Sequence, residues 1–200
     1  MLFLKARRQR LAVIVVLILI FSLSVFVLQR EEYTPVDPEE EHEVELFFST
    51  SDGMYLDTEV RTIPGEDFYL QVLQELIEGP ESDELGPTMP EDSEVISLEH
   101  DSGDERLVVN FNEDWQLNHW GGSTGERLTI YSAVNTLSLL PGVSEVGFEI
   151  EGEEVSSLAG HLDLTASYEF SEDIVRQDEP ESRDNEEYDI EIEDTEENSL

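Results

Sequence analysis

Two short stretches hold most of the residues that could do chemistry: Trp115 to Glu126, WQLNHWGGSTGE, and Leu158 to Leu164, LAGHLDL. Gly121-Gly122-Ser123 at the start of a helix would offer free amides to a phosphate or a carboxylate. Ser123 and Glu126, however, have the spacing of a capping box, in which each side chain satisfies a free amide at the helix start. That use of the donors, within a strongly acidic chain, favours a structural cap over an anion site. His161 and Asp163 have the residue types of an acid–base pair. Residues two apart face the same way only on a regular strand, and no serine or cysteine nucleophile accompanies them nearby. A turn in which His161 satisfies backbone groups is the expectation.

The remaining interaction residues are aromatic or amide. Trp115, His119 and Trp120 precede the Gly-Gly break, where they would serve as exposed anchors for a partner or a glycan, or else be buried as tryptophans usually are; both readings stand. Asn135 falls at the edge of a helical apolar stripe beside Tyr131. An internal bond to a neighbouring loop is expected there in preference to a partner contact. The many carboxylates suggest calcium, yet neither Asp101-Ser102-Gly103-Asp104 nor the Asp52 turn carries the alternating ligands of an EF-hand loop. No metal or cofactor is implied.

The elements that must position these residues are legible from periodicity. Val44–Ser49 and Met54–Thr62 read as two strands about the Ser51-Asp52-Gly53 turn. A helix is expected over Glu66–Glu78, with acids in its first turn and Gly79-Pro80 ending it. Val95–Glu99 and Arg106–Phe111 form a hairpin about Asp101–Asp104. A second helix follows Ser123, with Ile130, Val134 and Leu137 as its apolar stripe and Pro141-Gly142 as its stop. Val143–Ile150 is then a core strand, with turns at Glu151-Gly152 and Ala159-Gly160-His161. This order predicts an α+β fold, a mixed or antiparallel sheet with two helices packed on one face.

Taken together, DGMYLDTEVRTI, LQELIEGP, VVNFNEDW, GGSTGERLTIYSAVNTL and LAGHLDL resemble the GerMN domain family of sporulation and germination proteins. The resemblance covers about Val44 to Tyr168, with the blocks in order. It implies a compact α+β domain similar to the ring-building motif domains of sporulation channels, and a non-enzymatic role at the envelope of a spore-forming cell. Partners of that kind would be envelope or sporulation-complex proteins, with homo-oligomerisation a further option.

Charge and the two ends of the sequence set the remaining bounds. The chain has 200 residues and a formal net charge of −39, with 49 acidic residues against 10 basic and no cysteine. All 49 acids follow Arg30, against five arginines, so that portion carries −44. Nucleic acid and anionic headgroups are excluded as partners. A surface adapted to high external salt is one account of the excess.

Residues 1–10 form a basic stub, expected to be cytoplasmic, and Leu11–Leu28 is apolar and long enough to span a bilayer. No small-x-small site follows it, so an uncleaved single-pass anchor is expected; a cleaved signal peptide is the competing reading. Residues 29–43 read as an acidic linker and 175–200 as a disordered acidic tail, leaving one domain over 44–174. The functional expectation is therefore a membrane-anchored, extracytoplasmic interaction domain. A peptidoglycan-binding module or wall-modifying enzyme using Trp115, Trp120 and His161 is the alternative.

Overall fold

The computed structural model describes residues 36–177. Alternation along EHEVELFFST builds strand β1 (Glu41–Thr50), with Val44, Leu46 and Phe48 buried on one face. The turn after it is closed by Asp52, whose carboxylate accepts from Thr50 Oγ1 at 2.6 Å and from the Met54 N–H at 3.0 Å. Strand β2 (Leu56–Pro64) returns antiparallel, in register from Glu41↔Pro64 to Ser49↔Leu56. The two-residue β3 (Leu85–Gly86) pairs with the other edge of β1 at Ser49 and Thr50.

Helix α1 (Phe68–Glu78) buries Phe68, Val72, Leu73 and Leu76, and Gly79 ends it with φ 91°. It starts two residues later than its spacing predicts. Asp67 takes a left-handed φ of 48° just outside, so the first turn carries no acid. Arg61 on β2 ties the other end of α1 to the sheet. Its guanidinium meets Glu59 at 2.7 Å, Glu75 at 2.6 Å and the Gly79 carbonyl at 2.6 Å. Burial pushes the Glu59 carboxyl up, but Arg61 and the amides of Glu81 and Ser82 hold it below its ordinary value.

A second sheet contains β4 (Val95–Asp101), β5 (Arg106–Phe111), β6 (Glu145–Ile150) and β7 (Glu153–Glu154), in that spatial order. β4 and β5 form the expected hairpin, whereas β5 and β6 are parallel. A parallel pair demands a long crossover. Here it holds the short α2 (Asp114–Leu117) and the 16-residue α3 (Ser123–Ser138). A 3-10 turn, Glu172–Ile174, follows the last loop.

The α+β class holds, with the strands divided between two sheets that are joined by helix packing. One core takes Leu46 and Phe48 from β1, Leu107 and Val109 from β5, Val146 and Phe148 from β6, and the buried sides of α1 and α3. A smaller cluster of Phe47, Leu56, Leu128 and Ile174 lies apart from it.

Both ends of the domain reach further than the sequence suggests. β1 begins at Glu41, inside the stretch expected as linker, because Glu41, His42 and Glu43 find ladder partners in Pro64, Ile63 and Thr62. Beyond Ile174, Val175 bridges Leu56, the Arg176 N–H donates to the Leu56 carbonyl at 2.7 Å, and Arg176 pairs with Asp57. The expected stub, apolar span, most of the linker and the tail from residue 178 lie outside the described residues. Among the described residues no helix is long and apolar enough to cross a membrane.

Candidate functional site

Helix α3 carries three of the residues that the sequence marks, Ser123, Glu126 and Asn135, and beyond its exposed first turn and Arg127 most of its polar side chains point inward. Ile130, Ala133, Val134 and Leu137 are fully buried, but so are Glu126, Ser132, Asn135 and Thr136. A helix buried on nearly every side has no solvent face for its polar groups, so each must find a partner inside. Thr136 Oγ1 accepts the Phe47 N–H at 3.0 Å, and Ser132 Oγ donates to the Phe47 carbonyl at 2.6 Å. Ser132 also meets Thr88 Oγ1 at 2.6 Å, and Thr129 Oγ1 donates to the Thr88 carbonyl at 2.8 Å. The two hydroxyls at Phe47 thus stand in for a neighbouring strand at the middle of β1.

Glu126 makes the connection between the two motif stretches. Its Oε1 accepts the N–H groups of Leu158 and Ala159 at 3.0 and 2.8 Å, and its Oε2 accepts that of His161 at 2.8 Å. Burial pushes the carboxyl up; the amides of Ala159, His161, Leu162 and Leu158 overcome that and hold it below its ordinary value. Glu126 is therefore an anionic plug in the LAGHLDL loop.

The capping box expected from Ser123 and Glu126 is not formed. Gly122 occupies the N-cap position and no side chain caps the helix. Ser123 is then the first helical residue, one place too far along, and Glu126 is drawn to the loop amides instead. Close packing fixes this start: a Cβ on Gly125 would lie 2.7 Å from the Trp120 carbonyl oxygen. Gly121, with φ 94°, supplies the left-handed turn leading in.

The structure separates the other marked residues. Trp115 is no surface anchor: it is fully buried, stacked on Phe111 at 4.4 Å between ring centroids and packed on Phe148 at 5.3 Å. Asn135 is no partner contact either. Its Nδ2 donates to the Ser171 carbonyl at 3.0 Å and its Oδ1 accepts the Ser171 N–H at 2.9 Å, a two-point clamp on the C-terminal segment. His161 contributes its backbone N–H to Glu126 while its side chain lies exposed. Asp163 is occupied by Thr165, through the N–H at 3.1 Å and Oγ1 at 2.7 Å, and its carboxyl is lowered accordingly.

His119 and Trp120 remain together, with rings 6.3 Å apart and nearly parallel at 15°. His119 Nε2 is buried without a hydrogen-bond partner among the described residues. Burial lowers its pKa, against the opposing pull of the Glu126 charge and a backbone bond to Gly125. Trp120 is 44% exposed and borders a groove of about 720 Å³ between the end of α1 and the Pro87–Asp92 segment. Asn118 anchors that segment through the Glu91 carbonyl at 3.0 Å. Among the described residues no group of three or more His, Asp or Glu is placed to hold a metal ion.

Sequence reasoning passed over Thr129, Ser132 and Thr136. Their signal was present as small hydroxyl residues at helical spacing within an otherwise buried helix.

A family model described as "Germane: Sporulation and spore germination" matches residues 45–156, more than half of the chain. No curated protein matches it. Among solved structures, the tandem GerMN domains of the sporulation protein GerM from Bacillus subtilis align with a TM-score of 0.54 at 18% identity, covering 74% of this chain and 51% of that one. The first GerMN domain of the same protein aligns with a TM-score of 0.51 at 16% identity, covering 66% of this chain and 98% of that one. This chain thus spans about half the length of the tandem structure, and at these identities the likeness is one of fold. The matched residues include the second half of β1, both long helices, the buried Glu126 and the hydroxyls that cap Phe47, and on that match the chain belongs to the Germane family of sporulation and spore germination.

Proposed function

We propose that this chain is a non-enzymatic structural and interaction protein of the cell envelope, anchored by its N-terminal apolar run with its domain outside the membrane, and that it serves sporulation or spore germination. The observation that carries the non-enzymatic reading is the commitment of α3. The buried polar groups of its family-like motif, Glu126, Thr129, Ser132, Asn135 and Thr136, are spent on Phe47, Thr88, Ser171 and the 158–161 amides, which supports a structural use of the motif. The apolar run after a basic stub supports the anchor.

Fractionation of the source cells tests the placement. The full chain is expected in the membrane pellet, cleaved by protease added to protoplasts, and released when residues 1–30 are deleted. Protection of the domain from that protease would refute an outside location. Deletion of the gene is expected to lower the yield or germination of heat-resistant spores; normal counts of both would break the sporulation link.

A second reading, binding of wall glycan, is favoured by one feature: the exposed Trp120 face beside Asn118 and Asp92 in a groove of about 720 Å³. Sedimentation with purified peptidoglycan that Trp120→Ala abolishes would support it. Release of muropeptides that His161→Ala stops would instead make the protein an enzyme.

A further inference from the structure

The two edges of β1 are covered unequally. β2 runs along the whole of one edge. On the other, β3 covers Ser49 and Thr50, and the hydroxyls of Ser132 and Thr136 cover Phe47. Backbone groups alternate sides along an antiparallel strand. Glu43 and Glu45 therefore aim their N–H and C=O groups to the same side as Phe47, where none of these four groups has a partner among the described residues. Beside them runs a groove of about 460 Å³ bounded by Val44, Phe68, Leu140 and the half-exposed Leu139.

We propose that this open edge of β1 is a strand-addition site for an extended, basic segment of a partner protein, in which Lys or Arg alternates with apolar residues. The inference rests on the interaction role proposed above and names the chemistry of the partner. Glu41, Glu43 and Glu45 project side by side from the exposed face of β1, and the β2 residues on that face are Thr58, Val60 and Thr62. Arg61, on the opposite face, is engaged with Glu59 and Glu75.

A strand laid against β1 would place alternate side chains beside this uncompensated acidic row, where opposite charge is stabilising and like charge is not. The intervening side chains would enter the groove over Val44, Phe68 and Leu140, which takes apolar groups. A second copy of this chain does not fit. Its five arginines after residue 30 are isolated from one another, and it would bring its own acidic row to the same place.

The test titrates the full chain with a labelled short peptide alternating Lys and Val, and with its counterpart alternating Glu and Val. Amide hydrogen exchange is followed at Glu43 and Glu45. The Lys–Val peptide is expected to bind, to slow exchange of both amides, and to weaken roughly tenfold or more as salt rises from ~0.05 to ~0.5 M. Glu45→Pro removes an outward N–H from an edge position that tolerates proline, and is expected to weaken binding about tenfold. Glu43→Lys with Glu45→Lys, both exposed, should reverse the preference toward the Glu–Val peptide and keeps the test decisive if the proline variant does not fold.

Absence of binding, binding without protection of these amides, or a double-lysine variant with unchanged preference would each overturn the proposal. So would protection that appears with rising protein concentration alone, since that marks a second copy on the edge. Any of these results leaves the fractionation outcome standing, so the two readings fail separately.

Discussion

A single buried carboxylate, Glu126, decides how the most recognisable segments of this chain hold together. Replacing it with Gln keeps the shape but turns an amide donor toward backbone donors, which should cost about 2–4 kcal/mol by chemical denaturation. Because folding depresses the Glu126 pKa, its contribution is fully present above the ordinary 4.5 and is lost as pH falls below that through the depressed folded value. Acid should therefore loosen the 158–162 loop, and amide exchange at Leu158, Ala159 and His161 should report it; in Glu126→Gln that acid sensitivity should vanish.

Asn135→Ala breaks the clamp on Ser171 and should cost about 1–3 kcal/mol, with loss of order in the segment that ends at Arg176. The sequence anticipated an internal bond from Asn135 to a neighbouring loop, but it marked Glu126 as a helix cap and missed the loop amides that it takes. Capping-box spacing is a local signal, whereas the amides that capture Glu126 lie 32 to 35 residues away, and no local pattern encodes that distance.

At the scale of elements, periodicity located both long helices and the five longer strands, because each buries a face whose spacing is written in the chain. The two-residue strands β3 and β7 and the short α2 have too few residues to carry a period. The parallel pairing of β5 and β6 was left open between a mixed and an antiparallel sheet, since alternation along a strand is the same in either direction. Helix α3 departs from the amphipathic rule because its polar residues replace a strand at Phe47 instead of meeting solvent. Combining Ser132→Ala with Thr136→Val removes that replacement while keeping the packing volume nearly constant. The expected result is a stability loss of about 2–4 kcal/mol and faster exchange of the Phe47 amide, with the β1–β2 ladder otherwise intact. Unchanged exchange at Phe47 would show that the hydroxyls contribute nothing to the edge.

For the whole molecule, charge is the dominant variable. Residues 36–177 hold 35 acids against four arginines of a chain charge of −39, an excess that repels itself within the folded domain, and salt screens that repulsion. The unfolding temperature of the full chain should rise by about 5 °C or more between ~0.01 and ~1 M salt. An unchanged midpoint would remove the high-salt account of the acidic composition. The same surface leaves cationic partners as the ones drawn in at long range.

The two ends of the described domain have a mechanical consequence. The incoming segment is fastened near one end of β2, where the Gly65 N–H donates to the Glu40 carbonyl, and the outgoing segment is fastened at the other, where Val175 and Arg176 hold Leu56. These fastenings lie roughly 27 Å apart along the strand. Tension between whatever holds the front of the chain and whatever grips its far end would pass lengthwise through the β1–β2 hairpin, loading its ladder in shear instead of prying the two sheets apart.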